Sequence, residues 1–246
     1  MFKGIKGIYF DFGYVIGYPK PDIEKKFLYL DWEGINNIFV NKEISQYLKT
    51  GVGLTEIEAF FNDEIYSVFV NHEKSDLVDP QSYNLLQQKL HVLFNCKIDE
   101  VFINRVLFFI NTMKYIEIYP NVSYLLRELK NKGYLLSMIS NMMLPGRLLI
   151  EKLRENNIFH YFNTVTISSD VGYIKPHKEM FLRTLNSDSL NPEEIMFVGD
   201  SYYQDIVGAK SVGMKTVWLN FRKEVVNEKD CANYEILCLH ELLNLV

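Results

Sequence analysis

The sequence predicts an α/β fold built on a mainly parallel sheet, and three observations support it. Short apolar runs such as Ile8-Tyr9-Phe10 and Ile195 to Val198 each end on a carboxylate or a hydroxyl. From Pro120 onward such runs alternate with stretches of helical texture. Between about residue 20 and about residue 114 the texture is helical, with no clear strand alternation. Repeated strand–helix units imply parallel strands joined by right-handed crossovers. The expected architecture is a Rossmann-like three-layer core, interrupted after its first strand by an all-helical insertion.

Taken in order, Ile8 to Phe10 is short and apolar, as suits a strand covered on both faces. In the insertion, Thr55-Glu56-Ile57-Glu58 reads as a capping box ahead of Ala59-Phe60-Phe61. Pro80 precedes a helix over Ser82 to Phe94, with Leu85, Leu86, Leu90 and Leu93 near helical spacing. Another helix is expected from Asp99 to Thr112, with Val101, Val106, Phe109 and Ile110 apolar. Phe60, Phe61 and Phe69 are expected to pack these helices together. After Pro120, Asn121 can cap a helix that stops at Gly133, a residue type common just past a helix end. Strands are expected at about 134–139, 164–168, 195–199 and 215–219. Asn191 followed by Pro192 predicts a helix start, and Gln204 to Val212 a helix body. The division is therefore residues 1–16 and 115–246 as the core and 17–114 as a helical cap. Gly17 to Lys20 would begin the hinge, and Tyr119-Pro120 would end it.

Composition sets bounds. The chain has 246 residues, 48% hydrophobic and 23% charged, ordinary for a globular protein with a sizeable core. A net charge of −5 argues against a nucleic-acid partner, which needs a basic face. It is compatible with anionic substrates, because a bound cation and a lysine reverse the sign locally. Cys96, Cys231 and Cys238 are scattered, without zinc-ligand spacing, and read as buried free thiols. No apolar run approaches the roughly 20 residues of a spanning helix, and no long apolar run precedes Asp11. A cytoplasmic location without a membrane partner is the expectation.

The chemistry-bearing residues come in a fixed order. The first apolar run delivers Asp11, followed by Phe12-Gly13-Tyr14-Val15. The run Tyr134 to Ile139 ends in Ser140-Asn141, Lys175-Pro176 follows, and Ile195 to Val198 ends in Gly199-Asp200, with Asp205 next. Carboxylates, a hydroxyl and a lysine brought to one sheet edge suit phosphoryl chemistry with a divalent metal. This set resembles the haloacid dehalogenase superfamily, mostly Mg²⁺-dependent phosphatases, with an inserted helical cap of the first type. The resemblance covers essentially the whole chain.

It implies roles for individual residues. Asp11 would be the nucleophile, forming an aspartyl-phosphate that water then hydrolyses. Asp11, Asp200 and the Gly13 carbonyl would bind Mg²⁺, a hard ion suited to oxygen ligands, with Asp205 supporting the metal from behind. Ser140 and Asn141 would hold phosphate oxygens through the hydroxyl and backbone N–H, and Lys175 would neutralise charge on the phosphoryl group. The implied partner is a small phosphorylated metabolite, a sugar phosphate among the candidates.

The family's first motif is Asp-x-Asp-x-[Thr/Val], and here Gly13 replaces the second aspartate. That aspartate protonates the leaving oxygen and activates water, help worth about 10²–10⁴-fold. Some sugar-phosphatase relatives resembling the epoxide-hydrolase N-terminal domain have Asp-x-Gly-x-Val and remain phosphatases, and Asp11-Phe12-Gly13-Tyr14-Val15 most resembles this group. Haloacid dehalogenases, with tyrosine at this position, and phosphonate hydrolases, with alanine, are the alternatives on the same fold. A weakened protein that binds phosphorylated ligands is a further one. Tyr14, Tyr18, Tyr202 and Tyr203 lie near these motifs and could stack on substrate, though packing explains such residues more often.

Overall fold

The computed structural model describes residues 4–20, 32–66, 82–142, 144–226 and 231–246. Phe69 and Pro80 lie outside the described residues. The three thiols are free but not buried as expected: Cys96 and Cys231 are half-buried and Cys238 is exposed. Six parallel strands form one sheet in the order β5-β4-β1-β6-β7-β8. They are β1 (Gly7–Phe10), β4 (Leu135–Ser140), β5 (Thr164–Ile167), β6 (Ile195–Gly199), β7 (Lys215–Leu219) and β8 (Tyr234–Ile236). A separate ribbon pairs β2 (Gly17–Pro19) antiparallel with β3 (Ile116–Ile118).

Alternation along the strands makes the three layers. Ile8 and Phe10 face one side with Leu136, Met138, Met196 and Val198, beneath Leu125 and Leu129 of the Val122–Asn131 helix and Leu149 and Leu153 of the Arg147–Glu155 helix. Tyr9 faces the other side with Ile139 and Phe197, against Met180 and Phe181 of the Lys178–Asp188 helix. Both faces are covered, so the central strands β1 and β6 are apolar and buried throughout rather than alternating with polar residues. β1 lies between β4 and β6, with Gly7 opposite both Leu135 and Ile195. The central strand therefore carries Asp11 to the middle of the carboxyl edge, where open α/β sheets bind ligands.

The helices between β2 and β3 enclose their own apolar cluster, with Ile35, Ile57, Phe61, Leu86, Leu90, Phe102 and Ile103 buried. Leu144 and Leu148, from the segment after β4, join that cluster and tie it to the core. Asp99 caps the Glu100–Ile110 helix by accepting from the Phe102 N–H at 3.1 Å. The helix expected to start at Thr55 instead runs Leu54–Ala59, with the Glu56 carboxylate accepting from the Gly53 N–H at 2.9 Å. Gly53 takes the cap because no side chain is needed once Glu56 reaches back to its N–H.

Asn191-Pro192 starts no long helix. Pro192–Glu194 forms one 3₁₀ turn that leads straight into β6. Start signals act locally, and here the buried run Ile195 to Gly199 claims the next residues for the sheet. The Gln204 region is helical from Tyr202, first as a π-helix to Val207, then as an α-helix over Gly208–Ser211. Among the described residues no helix is long and apolar enough to cross a membrane.

Candidate active site

Asp11 follows β1 directly, and its N–H donates to the Val198 carbonyl at 2.9 Å, so it is held against β6. The chain then folds back tightly. The Gly17 N–H donates to the Phe12 carbonyl at 3.0 Å, and the Tyr14 N–H to the Gly17 carbonyl at 2.7 Å. Tyr14 takes a left-handed φ of 53°, unusual for a non-glycine residue. A Cβ placed on Gly13 would come no nearer to a neighbouring side chain than 3.7 Å, from Asp11 Oδ2. Gly13 is thus neither strained nor crowded, and a side chain there would stand beside the Asp11 carboxylate.

Lys175 reaches Asp11 from the segment before the Lys178–Asp188 helix. Its Nζ lies 2.6 Å from Asp11 Oδ1 and 2.6 Å from Asp205 Oδ1. The lysine side chain is 2% exposed, so the ammonium is out of water and depends on both carboxylates. Burial opposes its charge, yet the two carboxylates outweigh burial and hold its pKa above the usual lysine range. Burial likewise pushes the Asp205 carboxyl above the usual carboxylate range, with Lys175 opposing and Asp11 adding. Asp205 Oδ2 accepts from the Ser201 N–H at 3.0 Å, so both its oxygens are engaged.

Asp200 directly follows β6 and lies beside Asp11. Its Oδ2 accepts from Arg222 Nη1 at 2.8 Å, and the Trp218 indole donates to its carbonyl at 2.9 Å. Burial and the Asp11 charge push the Asp200 carboxyl up to about 6, against the pull of Arg222 and Lys175. One carboxylate oxygen each from Asp11, Asp200 and Asp205 lies within 4.8 Å of the others. Hard oxygen donors gathered this closely suit Mg²⁺. Asp11 Oδ2 and Asp200 Oδ1 accept no hydrogen bond from the described residues, whereas Asp205 is spent on Lys175 and Ser201. Asp11 and Asp200 are thus the side chains best placed to bind a cation directly.

Ser140 is buried at the end of β4, its hydroxyl donating to the Asn141 carbonyl at 3.3 Å. The Asn141 side chain points to Lys175. Its Oδ1 accepts from the Lys175 N–H at 2.7 Å, and its Nδ2 donates to the Lys175 carbonyl at 3.2 Å. It therefore fixes the backbone that presents the ammonium. Neither residue caps the next helix, which begins at Arg147 behind Gly146.

The sequence-predicted set Asp11, Gly13, Ser140, Asn141, Lys175, Asp200 and Asp205 thus gathers at one sheet edge. Three of the four nearby tyrosines pack on other rings. Tyr14 stacks on Phe221, Tyr18 stacks on Tyr119 and bonds Glu117, and Tyr202 packs against Trp218. Tyr203 is largely exposed. Arg222 was not singled out from the sequence. The signal available was a charged residue three positions beyond the last residue of a strand that neighbours β6.

A sequence model of haloacid dehalogenase-like hydrolases matches residues 40–219, well over half of the chain. The chain belongs to this family. The matched span contains Ser140, Asn141, Lys175, Asp200 and Asp205, while Asp11 lies before it. The chain is 35% identical over 137 residues to a glyceraldehyde 3-phosphate phosphatase of Pyrococcus furiosus, covering 54% of this chain and 55% of that protein. It is 34% identical over 103 residues to a phosphoserine phosphatase of Thermus thermophilus, covering 42% and 41%. The chain thus spans about half the length of the curated relatives it matches. Among solved structures, a phosphatase of the family from Thermococcus onnurineus superposes with a TM-score of 0.66 at 26% identity, covering 98% of this chain and 97% of the other. A 2-haloacid dehalogenase from Pseudomonas syringae superposes with a TM-score of 0.68 at 19% identity over 98% and 97%, a likeness of fold.

Proposed function

We propose that the protein is a Mg²⁺-dependent phosphatase that hydrolyses a small phosphorylated metabolite, such as a sugar phosphate, through an aspartyl-phosphate on Asp11. The observation that carries this reading is the buried Lys175 ammonium 2.6 Å from Asp11 and from Asp205, with the Asp200 carboxylate beside them. A lysine so placed would accept negative charge from a phosphoryl group on Asp11. The names of the curated relatives support a phosphoric monoester substrate.

In this reading an Asp11 oxygen attacks phosphorus and the bond from phosphorus to the leaving oxygen breaks. The leaving oxygen takes its proton from water, because Gly13 has no acid to give. A second water then attacks the aspartyl-phosphate, releasing phosphate and restoring Asp11. Ser140 and the Asn141 N–H hold phosphoryl oxygens, and Asn141 also keeps Lys175 in place. Mg²⁺ on Asp11, Asp200 and the Gly13 carbonyl would screen the repulsion between carboxylate and phosphate. Residues 1–16 and 115–246 act as the core, and 17–114 as a cap that closes over the substrate.

The test is phosphate release from a panel of phosphorylated metabolites, with and without Mg²⁺, beside Asp11→Asn. Turnover that needs both Mg²⁺ and Asp11 supports the reading. Turnover of a haloacid without metal would replace it with the dehalogenase reading. Gly13 favours one second reading, a protein that binds phosphorylated ligands with little turnover. That reading predicts Mg²⁺-dependent phosphate binding by calorimetry without hydrolysis.

A further inference from the structure

The three carboxylates Asp11, Asp200 and Asp205 stand with two cations, Lys175 and Arg222, in direct contact. Formal charges leave the cluster at one negative unit. The two cations differ in kind. Lys175 is 2% exposed and bridges two carboxylates, so it cannot leave without stranding both. Among the described residues Arg222 makes one ion pair, to Asp200, and its side chain is 39% exposed.

The backbone that carries Arg222 is pinned. Buried Asn220 accepts from the Glu224 N–H at 2.7 Å and donates to the Glu224 carbonyl at 3.0 Å. Its Nδ2 also donates to Glu235 at 2.7 Å, and the Lys223 N–H closes the turn onto the Asn220 carbonyl at 3.0 Å. Any movement of the Arg222 charge must come from the side chain. The guanidinium rests against two rings, with its carbon 4.3 Å from the Tyr14 centroid and 4.4 Å from that of Phe221. Stacking of this kind leaves the edge of the fork open to more than one acceptor.

We propose that Arg222 is a resident counter-cation of Asp200, which an arriving divalent ion displaces and which then turns to the anionic substrate. The inference rests on the phosphatase reading above. A dication bound to Asp200 has the guanidinium as its nearest mobile positive neighbour, and the two repel. The phosphorylated ligand brings the opposite charge, and a guanidinium matches phosphate oxygens in fork geometry. Arg222 would then oppose the metal when it binds alone and favour the phosphorylated ligand once the metal is in place. A residue that only orients Asp200 would not show this pair of opposite effects.

The experiment is calorimetric titration of wild type, Arg222→Gln and Arg222→Lys, first with Mg²⁺ alone and then with inorganic phosphate at saturating Mg²⁺. Arg222→Gln is expected to bind Mg²⁺ about tenfold more tightly, the order set by removing one unit charge a few ångströms from a dication. Phosphate binding to the Mg²⁺-loaded variant is expected to weaken about tenfold. Arg222→Lys, which keeps charge but loses the fork and the stacking, is expected to fall between the two. Equal or weaker Mg²⁺ binding by Arg222→Gln would overturn the proposal and make Arg222 a positioning residue. Unchanged phosphate binding would overturn the transfer to substrate. Thermal melting of each variant separates these outcomes from misfolding. Absence of Mg²⁺ binding by wild type would instead sink the phosphatase reading itself.

Discussion

Gly13→Asp restores the carboxylate that the first motif lacks, and its effect follows from the local geometry. The nearest neighbour of the added Cβ is Asp11 Oδ2 at 3.7 Å, an ordinary contact, so the backbone need not shift. The new carboxyl would stand beside Asp11, in a cluster where burial and like charge already raise Asp200. Its own pKa should rise for the same reasons, toward the range in which a carboxyl group can donate a proton. General acid–base help of this kind is worth about 10²–10⁴-fold. The gain depends on the leaving group. An alkyl phosphate, whose leaving oxygen needs a proton, should be hydrolysed about 10²-fold faster or more by the variant. A nitrophenyl phosphate, whose leaving group departs unprotonated, should change little. The assay is the single-turnover rate of leaving-group release for both substrate types in wild type and variant, at saturating Mg²⁺, since kcat would also include the water attack that the same carboxylate assists. Equal acceleration of both, or none of the alkyl ester, would refute the argument that position 13 lacks only its acid.

Gly199→Ala should behave in the opposite way to a change at position 13. Its Cβ would fall inside the Asp205 side chain, so overpacking should cost about 1–3 kcal/mol in denaturant unfolding and displace Asp205 from Lys175. Asp188→Ala should destabilise by about 3 kcal/mol while leaving Mg²⁺ affinity unchanged. It strands the buried Ser137 hydroxyl, held at 2.6 Å, and the donors of Asn163 and Thr164, both held at 2.5 Å. In metal-free protein the Asp200 pKa of about 6 lies above its unfolded value, so its proton stabilises the fold. That stability is complete below the unfolded pKa and is lost as pH rises through about 6, on the order of 3 kcal/mol. Melting temperature should therefore fall over this range in wild type and fall less in Asp200→Asn, where the raised Asp205 carboxyl still titrates, and added Mg²⁺ should reverse the loss above pH 6.

The sheet edge was legible because Asp11, Ser140 and Asp200 each sit at or just past the end of a short, largely apolar run. Strands β6 and β7 fall at the expected positions, and β4 is displaced by one residue. The ribbon of β2 and β3 was not read as strands, because three residues such as Gly17–Pro19 are too few to show alternation. β8 has two exposed residues among its three and reads like a loop. The clamp of Asn141 on Lys175 and the pairing of Arg222 with Asp200 join distant parts of the sequence. No local pattern marks such contacts. The gathering of seven motif residues was legible only through their order, since Ser-Asn or Gly-Asp pairs alone carry little information.

The position of β1 has a consequence for how the chain comes to be folded. This strand is made long before either neighbour, since Gly7 meets Leu135 on one side and Ile195 on the other. Contacts so remote in sequence slow folding, because a long loop must close before they reward it. During synthesis the strand that carries Asp11 leaves the ribosome with both edges unpaired, and most of the chain must follow before β6 can cover the second edge. The helices between β2 and β3, with an apolar cluster made largely of their own residues, can collapse in the interval. Apolar β1 is then the stretch most in need of protection from pairing with other chains before its partners emerge.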